Sequence, residues 1–490
     1  MTDVRLIPAA LTAWAVTAAG IVWGYAAAGA AVVAGVAVTA AAGWWASRRQ
    51  ATGGRTERGS VVVAATAVAL VGGGFAVAVC LRVDVVDHHP VTTRIGSVAD
   101  VVVTPDETPR VLDGGRTMFR ATLVRLDGAP SSGAVLVFAS GTDYVALQAG
   151  RPAGFRARVG RPGRRDLSVA VLSATGRPRL GEAAPVYRLA HRIRADFAEA
   201  VRLVLPADQA TLLPALVLGD TSAVSAQTAK DFRVAGLTHL MAVSGANITI
   251  VCAAMLLSAA LLGPRIAVVL AAVTLAGFVV VVQPSASVLR AAVMGAITLL
   301  AVLTHRRRQA LPALATAVIV LMIATPQLAV DVGFALSVSA TAGLVLVAPV
   351  WSQRLTRRGW PRPLADAVSV ALAAQLVTAP LVAGVSGSVS LVAVIANLAV
   401  APVIAPITVI GTAAAALCPL WPAGAQLLIR FTGPEVWWLA STARWAAAVP
   451  VAALPVPSGL AGVAVVAAGS CVVAAVWHRG LSGRRGTIVR

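Results

Sequence analysis

Apolar runs close to twenty residues long recur along most of this chain, and a helix of that length crosses the hydrocarbon core of a bilayer. The pattern predicts three spans near residues 6–24, 27–46 and 60–80. After a long interval it predicts nine more, near 237–262, 265–283, 286–304, 310–325, 330–350, 364–384, 390–417, 424–448 and 457–477. The expected fold class is a polytopic α-helical membrane protein with about 12 membrane segments, re-entrant ones included. The first run has a thin basic region before it and further spans directly after it, so it reads as a span and not as a cleaved signal peptide.

The interval reads differently. Alternating patches such as "TMFRATLVRL", "GAVLVFAS", "FRARVG" and "LSVAVLSA" are separated by Gly, Pro and Asp, which predicts a small β-barrel or sandwich. Apolar residues at Val186, Leu189, Ile193, Phe197, Val201 and Val204 then follow helical spacing opposite a charged face, as in an interfacial helix. The expected organisation is N-terminal membrane segments over 1–81, an extracytoplasmic β domain over 82–185 and an amphipathic helix over 186–206. A large membrane domain over 207–478 and a basic tail over 479–490 complete it.

Charge orients this pattern. Only 12% of residues are charged and 58% are hydrophobic, against roughly a quarter charged in soluble proteins. The net charge of +20 is carried by arginine, with Lys230 the only lysine. The basic loops "SRRQATGGRTERGS", with Arg48, Arg49, Arg55 and Arg58, "HRRRQ" and "RLTRRGWPRP", and the tail "HRGLSGRRGTIVR", belong in the cytoplasm by the positive-inside rule. The parities of the spans between them agree, placing both termini inside and residues 82 to about 205 outside.

Several chemistries drop out. Lys230 lies in "SAQTAKDF" without the glycine-rich turn of a nucleotide-binding loop, so no ATPase is expected. Cys80, Cys252, Cys418 and Cys471 fall in apolar spans with no CxxC, and six scattered histidines form no HExxH. No catalytic residue, metal site or cofactor is therefore predicted. The outer segment instead carries a phosphate-binding signature: eight arginines lie between Arg151 and Arg179 against one acid, Asp166. Arg156, Arg158, Arg161, Arg164 and Arg165 are the densest group. The other reading of that group is a solvated surface facing lipid headgroups. Phe119, Phe138, Tyr144 and Phe155 are the candidate stacking platforms, two of them expected in the core.

The stretch "GLTHLMAVSGANITIV" puts His239, Ser244, Gly245 and Asn247 where an unbroken apolar helix would be expected. Gly245 weakens that helix in mid-segment. Helix packing through small residues and a broken helix lining a polar route account equally well for Ser244 and Gly245. His239 together with Asn247 favours the route.

"LVLGD", "GLTHLMAVSGANI", "SVLRAAVMG", "VDVGFALSVSATAGL" and "IANLAVAPVIAP" occur in this order. Motif by motif, over about residues 207–450, they resemble the competence domain of the ComEC family of bacterial DNA-uptake channels. The resemblance implies an OB-fold-like outer domain, an inner-membrane location and passage of single-stranded DNA into the cytoplasm. It implies as partners the lipid bilayer and, in trans, a DNA receptor, a separate nuclease and a cytoplasmic translocation ATPase. The matching positions are Gly219, Asp220, His239, Ser244, Gly245, Arg290, Asp331, Gly333, Ser337 and Asn397. Many relatives carry His where this chain has Asn247, and longer ones append a metallo-β-lactamase-like domain that is not expected here. Arg290 is open to two readings, a snorkelling side chain near the outer interface or a partnered charge in a wet cavity. Asp331 is open to two as well, a helix N-cap or a partner of Arg290. Apart from the resemblance, the residues describe a channel or transporter with an external β domain, and a secondary transporter or exporter of a small envelope metabolite or lipid fits them too.

Overall fold

The computed structural model describes residues 5–49, 55–112, 115–304 and 309–482. Residues 305–308 of the basic loop "HRRRQ" and 483–490 of the tail lie outside the described residues, as do residues 50–54 of the first basic loop. The rest of that loop is helix: α1 (Ile7–Trp23) is followed by α2 (Tyr25–Arg49) and α3 (Arg55–Asp87). The chain then forms β1 (Val98–Pro105), β2 (Arg110–Val111), β3 (Arg116–Leu126), β4 (Ala129–Ser140), α4 (Thr142–Val145), β5 (Ala153–Gly160) and β6 (Ser168–Leu180). Helices α5 (Pro185–Val204), α6 (Ala207–Leu218), α7 (Ala226–Val234), α8 (Thr238–Met241), α9 (Gly245–Ser258) and α10 (Pro264–Val282) come next. They are followed by α11 (Ala286–Leu303), α12 (Ala310–Ala324), α13 (Val332–Leu346), α14 (Ala348–Thr356) and α15 (Arg362–Ser386). A short strand β7 (Ser388–Ser390), α16 (Ala393–Leu417), α17 (Pro422–Ala448), β8 (Ala453–Pro455) and α18 (Gly459–Ser482) complete the chain.

Among the described residues seven helical stretches are long and apolar enough to cross a membrane: Val63–Arg94, Pro264–Val282, Ala286–Leu303, Val332–Thr356, Arg362–Ser386, Ala393–Leu417 and Gly459–Gly480. Helices α1, α9 and α12 are apolar but shorter, and α17 is long but carries Arg430, Glu435 and Arg444. The protein is thus a multi-pass helical membrane protein. Its chain divides into two compact units, one of residues 1–191, 283–298 and 307–331, the other of 192–282, 299–306 and 332–490.

In the first unit, α1, α2 and α3 pack through small residues. A Cβ on Gly35 would meet the Thr12 hydroxyl at 2.6 Å, and one on Gly20 would meet Val79 at 2.5 Å, so close helix approach depends on both glycines. The Trp14 indole donates to the Ala329 carbonyl at 2.9 Å. The β region closes into a barrel: β1 pairs with β5, β5 with β6, β6 with β4, β4 with β3, and β3 again with β1. All of these pairings are antiparallel except β4–β6, which is parallel. Alternation drives the closure, with Val101, Val103, Phe119, Ala121, Leu123, Val135, Val137, Ala157 and Leu172 all turned inward. The four sequence patches fall on β3, β4, β5 and β6, and β1 adds a fifth strand of the same alternation.

Two polar tethers tie the barrel to other segments of its unit. Gln283 Oε1 accepts from the Thr108 backbone N–H at 3.1 Å and from its hydroxyl at 3.0 Å. Arg120 on β3 meets the Asp331 carboxylate at 3.4 Å.

In the second unit, α15 packs on α13, α14 and α18, while α16 packs on α6, α9 and α17. The β7–β8 pair joins the end of α15 to the segment before α18, with Val389 opposite Leu454.

Candidate functional site

The chemistry of the second unit centres on the end of α6. A helix leaves its last carbonyls without intrahelical partners. Here the chain turns back at Gly219, a left-handed cap with φ 70° and ψ 18°, a conformation L side chains adopt at a cost. The Gly219 N–H bonds the Ala215 carbonyl at 3.0 Å and the Asp220 N–H bonds the Pro214 carbonyl at 3.2 Å. Of the carbonyls that remain, side chains from elsewhere take two. Asn247 Nδ2 donates to Leu216 O at 3.1 Å, and an Arg194 amine donates to Leu218 O at 2.9 Å. The same Arg194 nitrogen reaches Val281 O, at the end of α10, at 3.1 Å. Its guanidinium lies 3.7 Å from Asp220, which also accepts from the Ser222 hydroxyl at 2.6 Å.

The stretch expected to break does break. Helix α8 stops at Met241, Ala242 and Ser244 are extended, and α9 starts at Gly245. The Ser244 hydroxyl donates to Asn247 Oδ1 at 3.1 Å, which orients the amide for its bond to Leu216. Asn247 is buried, whereas Ala242, Ala246 and His239 are exposed and Ser244 and Gly245 are half-buried. The "LVLGD" and "VSGAN" motifs are therefore brought together by a direct hydrogen bond from Asn247 to Leu216. Ahead of the break, Gly236 has φ 72°, and a Cβ there would come within 2.5 Å of the Ala393 side chain. The Ser390 hydroxyl bonds Val234 O at 2.7 Å, so the turn before His239 lies against the start of α16. One turn into that helix, Asn397 donates back to Ala393 O at 2.8 Å. Gly333 is exposed and Ser337 half-buried on α13.

In the first unit, Arg290 on α11 is 7% exposed and one of its amines lies 3.1 Å from Met294 Sδ, so it is buried rather than snorkelling at a surface. Asp331 directly precedes α13 and receives Arg120. Arg156 and Arg158 are exposed on β5 with the alternate residues Phe155, Ala157 and Val159 inside, and Arg161, Arg164 and Arg165 are exposed on the turn to β6. Acidic neighbours are sparse: Asp100 lies 3.9 Å from Arg156, and Asp166 accepts from the Ser168 N–H. Three of the four candidate aromatics are core residues where two were expected: Phe119, Tyr144 and Phe155 are buried, and Tyr144 meets Phe155 edge-on at 5.6 Å. Phe138 alone remains half-buried, with the Arg116 guanidinium 5.3 Å from its ring centroid. On α5 the expected apolar face divides: Phe197 and Val201 are buried, whereas Val186 and Leu189 are exposed.

Sequence reasoning missed Arg194. Its helix bears four arginines (Arg188, Arg192, Arg194 and Arg202), and only the fold decides which one turns inward. Among the described residues no group of three His, Cys, Asp or Glu side chains converges to hold a metal ion.

A multi-pass helical membrane protein with a closed five-stranded barrel, a broken apolar helix and an exposed arginine face is the class these features define. Residues 216–480 match the family model described as Competence protein, and the chain belongs to that family. It is 28% identical over 201 residues to ComE operon protein 3 of Bacillus subtilis (strain 168), an alignment covering 41% of this chain and 25% of that protein. The chain thus matches a quarter of that relative's length. No solved structure matches it.

Proposed function

We propose that this protein passes a single strand of DNA across the bacterial inner membrane during natural transformation. The observation that carries the reading is the interruption between α8 and α9 within the apolar domain. Backbone groups off the helix cannot face lipid, so such a break belongs where protein or a water-filled route satisfies it. Small exposed side chains lie in the break, at Ala242, and just after it, at Ala246. Membership of the Competence protein family, and the relative named for the ComE operon, support the uptake role.

The barrel acts as an OB-type receiver for the strand on the outer face. Five strands closed in this order, with one parallel pairing, suit that fold, whose binding surfaces include the turn between its last two strands. That turn holds Arg161, Arg164 and Arg165, next to Arg156 and Arg158. Phe138, with Arg116 beside its ring, offers the one partly open aromatic face among the four candidates. About 12 membrane segments, counting the shorter helices and α17, keep both termini in the cytoplasm. The protein performs no hydrolysis itself; a DNA receptor, a nuclease and a translocation ATPase act in trans.

Gly245→Leu tests the reading. It places a bulky apolar group at the break and favours helix, without adding charge or shortening a span. Transformation frequency, normalised to membrane-inserted protein, is expected to fall to that of a deletion strain. Wild-type uptake would mean that the motif only packs helices.

A further inference from the structure

A cleft of about 520 Å³ opens between the loop before β5, the link after β6 and the first turns of α5. Arg151, Arg188, His191, Gln148 and the single carboxylate Glu182 line it. Arg151 Nε donates to Gly181 O at 3.0 Å, and an Arg188 amine donates to Ala183 O at 2.9 Å. Both guanidiniums are thus fixed to the same four-residue link between β6 and α5, and each keeps further N–H donors. His191 Nε2 lies 2.8 Å from Ala149 O, which holds the imidazole on the same wall. Among the described residues neither Arg151 nor Arg188 is in a salt bridge. Two pinned cations facing one carboxylate leave the cleft electropositive.

The geometry of α5 narrows the ligand. At about 100° per residue, Arg188 and His191 share one face, and Val186 and Leu189 share the opposite one. Those two apolar residues are 58% and 55% exposed, so the stripe suited to a bilayer points away from the cleft. That favours a water-borne anion over a lipid headgroup. Pre-oriented guanidiniums match phosphate oxygens in a fork geometry. A phosphate monoester offers three free oxygens to two such groups, whereas a diester offers two and, in mid-strand, needs an open track.

We propose that this cleft binds a phosphate monoester, either that of a free nucleotide or the terminal phosphate of a DNA strand. The second source rests on the DNA-handling role proposed above; the first does not.

The test uses the full protein in nanodiscs, with thymidine 5′-monophosphate against thymidine, and short oligothymidylates bearing a terminal phosphate or a hydroxyl. The monophosphate should bind and thymidine should not. Arg151→Gln and Arg188→Gln should each weaken it by about tenfold, and Glu182→Gln, which touches neither tether, should tighten it. The preference for phosphorylated oligonucleotide should vanish in the two arginine variants, while Arg156→Gln weakens both oligonucleotides alike. Equal binding of thymidine and its monophosphate, or monophosphate binding indifferent to both Arg188→Gln and Glu182→Gln, overturns the proposal. So does a result in which the arginine variants lose only binding to anionic lipid vesicles. Monophosphate binding without any oligonucleotide binding would leave the cleft standing and count against the DNA-handling role.

Discussion

Asn247 is 6% exposed, and both ends of its amide are engaged, one by the Ser244 hydroxyl and one by Leu216 O. It closes the end of α6, so it acts as a clamp beside the break. Asn247→Ala leaves a buried carbonyl without a partner and should cost about 1–3 kcal/mol, read as a lower thermal midpoint in detergent. Ser244→Ala removes only the orienting bond and should cost less; an unchanged midpoint for both would show that the clamp carries no stability. Tyr144 in the barrel is the converse case. Its hydroxyl is buried with no hydrogen-bond partner among the described residues. Burial, and secondarily the neighbouring Asp143 charge, pushes the phenol up to about 12. The folded barrel then keeps a proton that the unfolded chain sheds near pH 10, so stability falls as pH rises from about 10 toward 12. Tyr144→Phe should raise stability by about 1 kcal/mol at neutral pH and flatten the alkaline fall. Hydrogen exchange of the barrel amides measures both; a destabilised barrel would reveal a partner for the hydroxyl.

At the scale of elements, what the sequence made legible follows from periodicity. The patches on β3 to β6 alternate, apart from irregularities at Val124–Arg125 and Val169–Ala170, because one side of each strand meets the barrel core, and the polar stretch after Gly236 marked a break that lies at Ala242–Ser244. Closure was legible only as one of two alternatives, barrel or sandwich, because it depends on β1 pairing with both β3 and β5. The role of Arg194 was not legible, since its partners Leu218 and Val281 lie 24 and 87 residues away. The arginine face of β5 and its turn is an element-scale feature with its own prediction. Changing Arg156, Arg158, Arg161, Arg164 and Arg165 to Ala should weaken single-stranded DNA binding at low salt and flatten its salt dependence, because fewer condensed counterions are released. Affinity and salt slope both at the wild-type value would assign that face to solvent or lipid headgroups.

For the whole molecule, the apolar pattern announced a membrane protein, and the matched family accounts for residues 216–480. Helix length was less legible than hydrophobicity. The expected single span over 237–262 is split into α8 and α9 by extended residues, and α17 combines span length with three ionisable side chains. Such departures from a simple bilayer-crossing helix concentrate where a polar route has to be built. The central claim is that the strand runs past the break between α8 and α9. A photo-crosslinking amino acid at Ala242 or Ala246, in cells taking up labelled DNA, tests it most directly. Leu460 on α18, 88% exposed, is the apolar control. DNA adducts at Ala242 and Ala246, with none at Leu460, are the predicted result; no adduct at either position, or equal labelling at Leu460, would contradict the route.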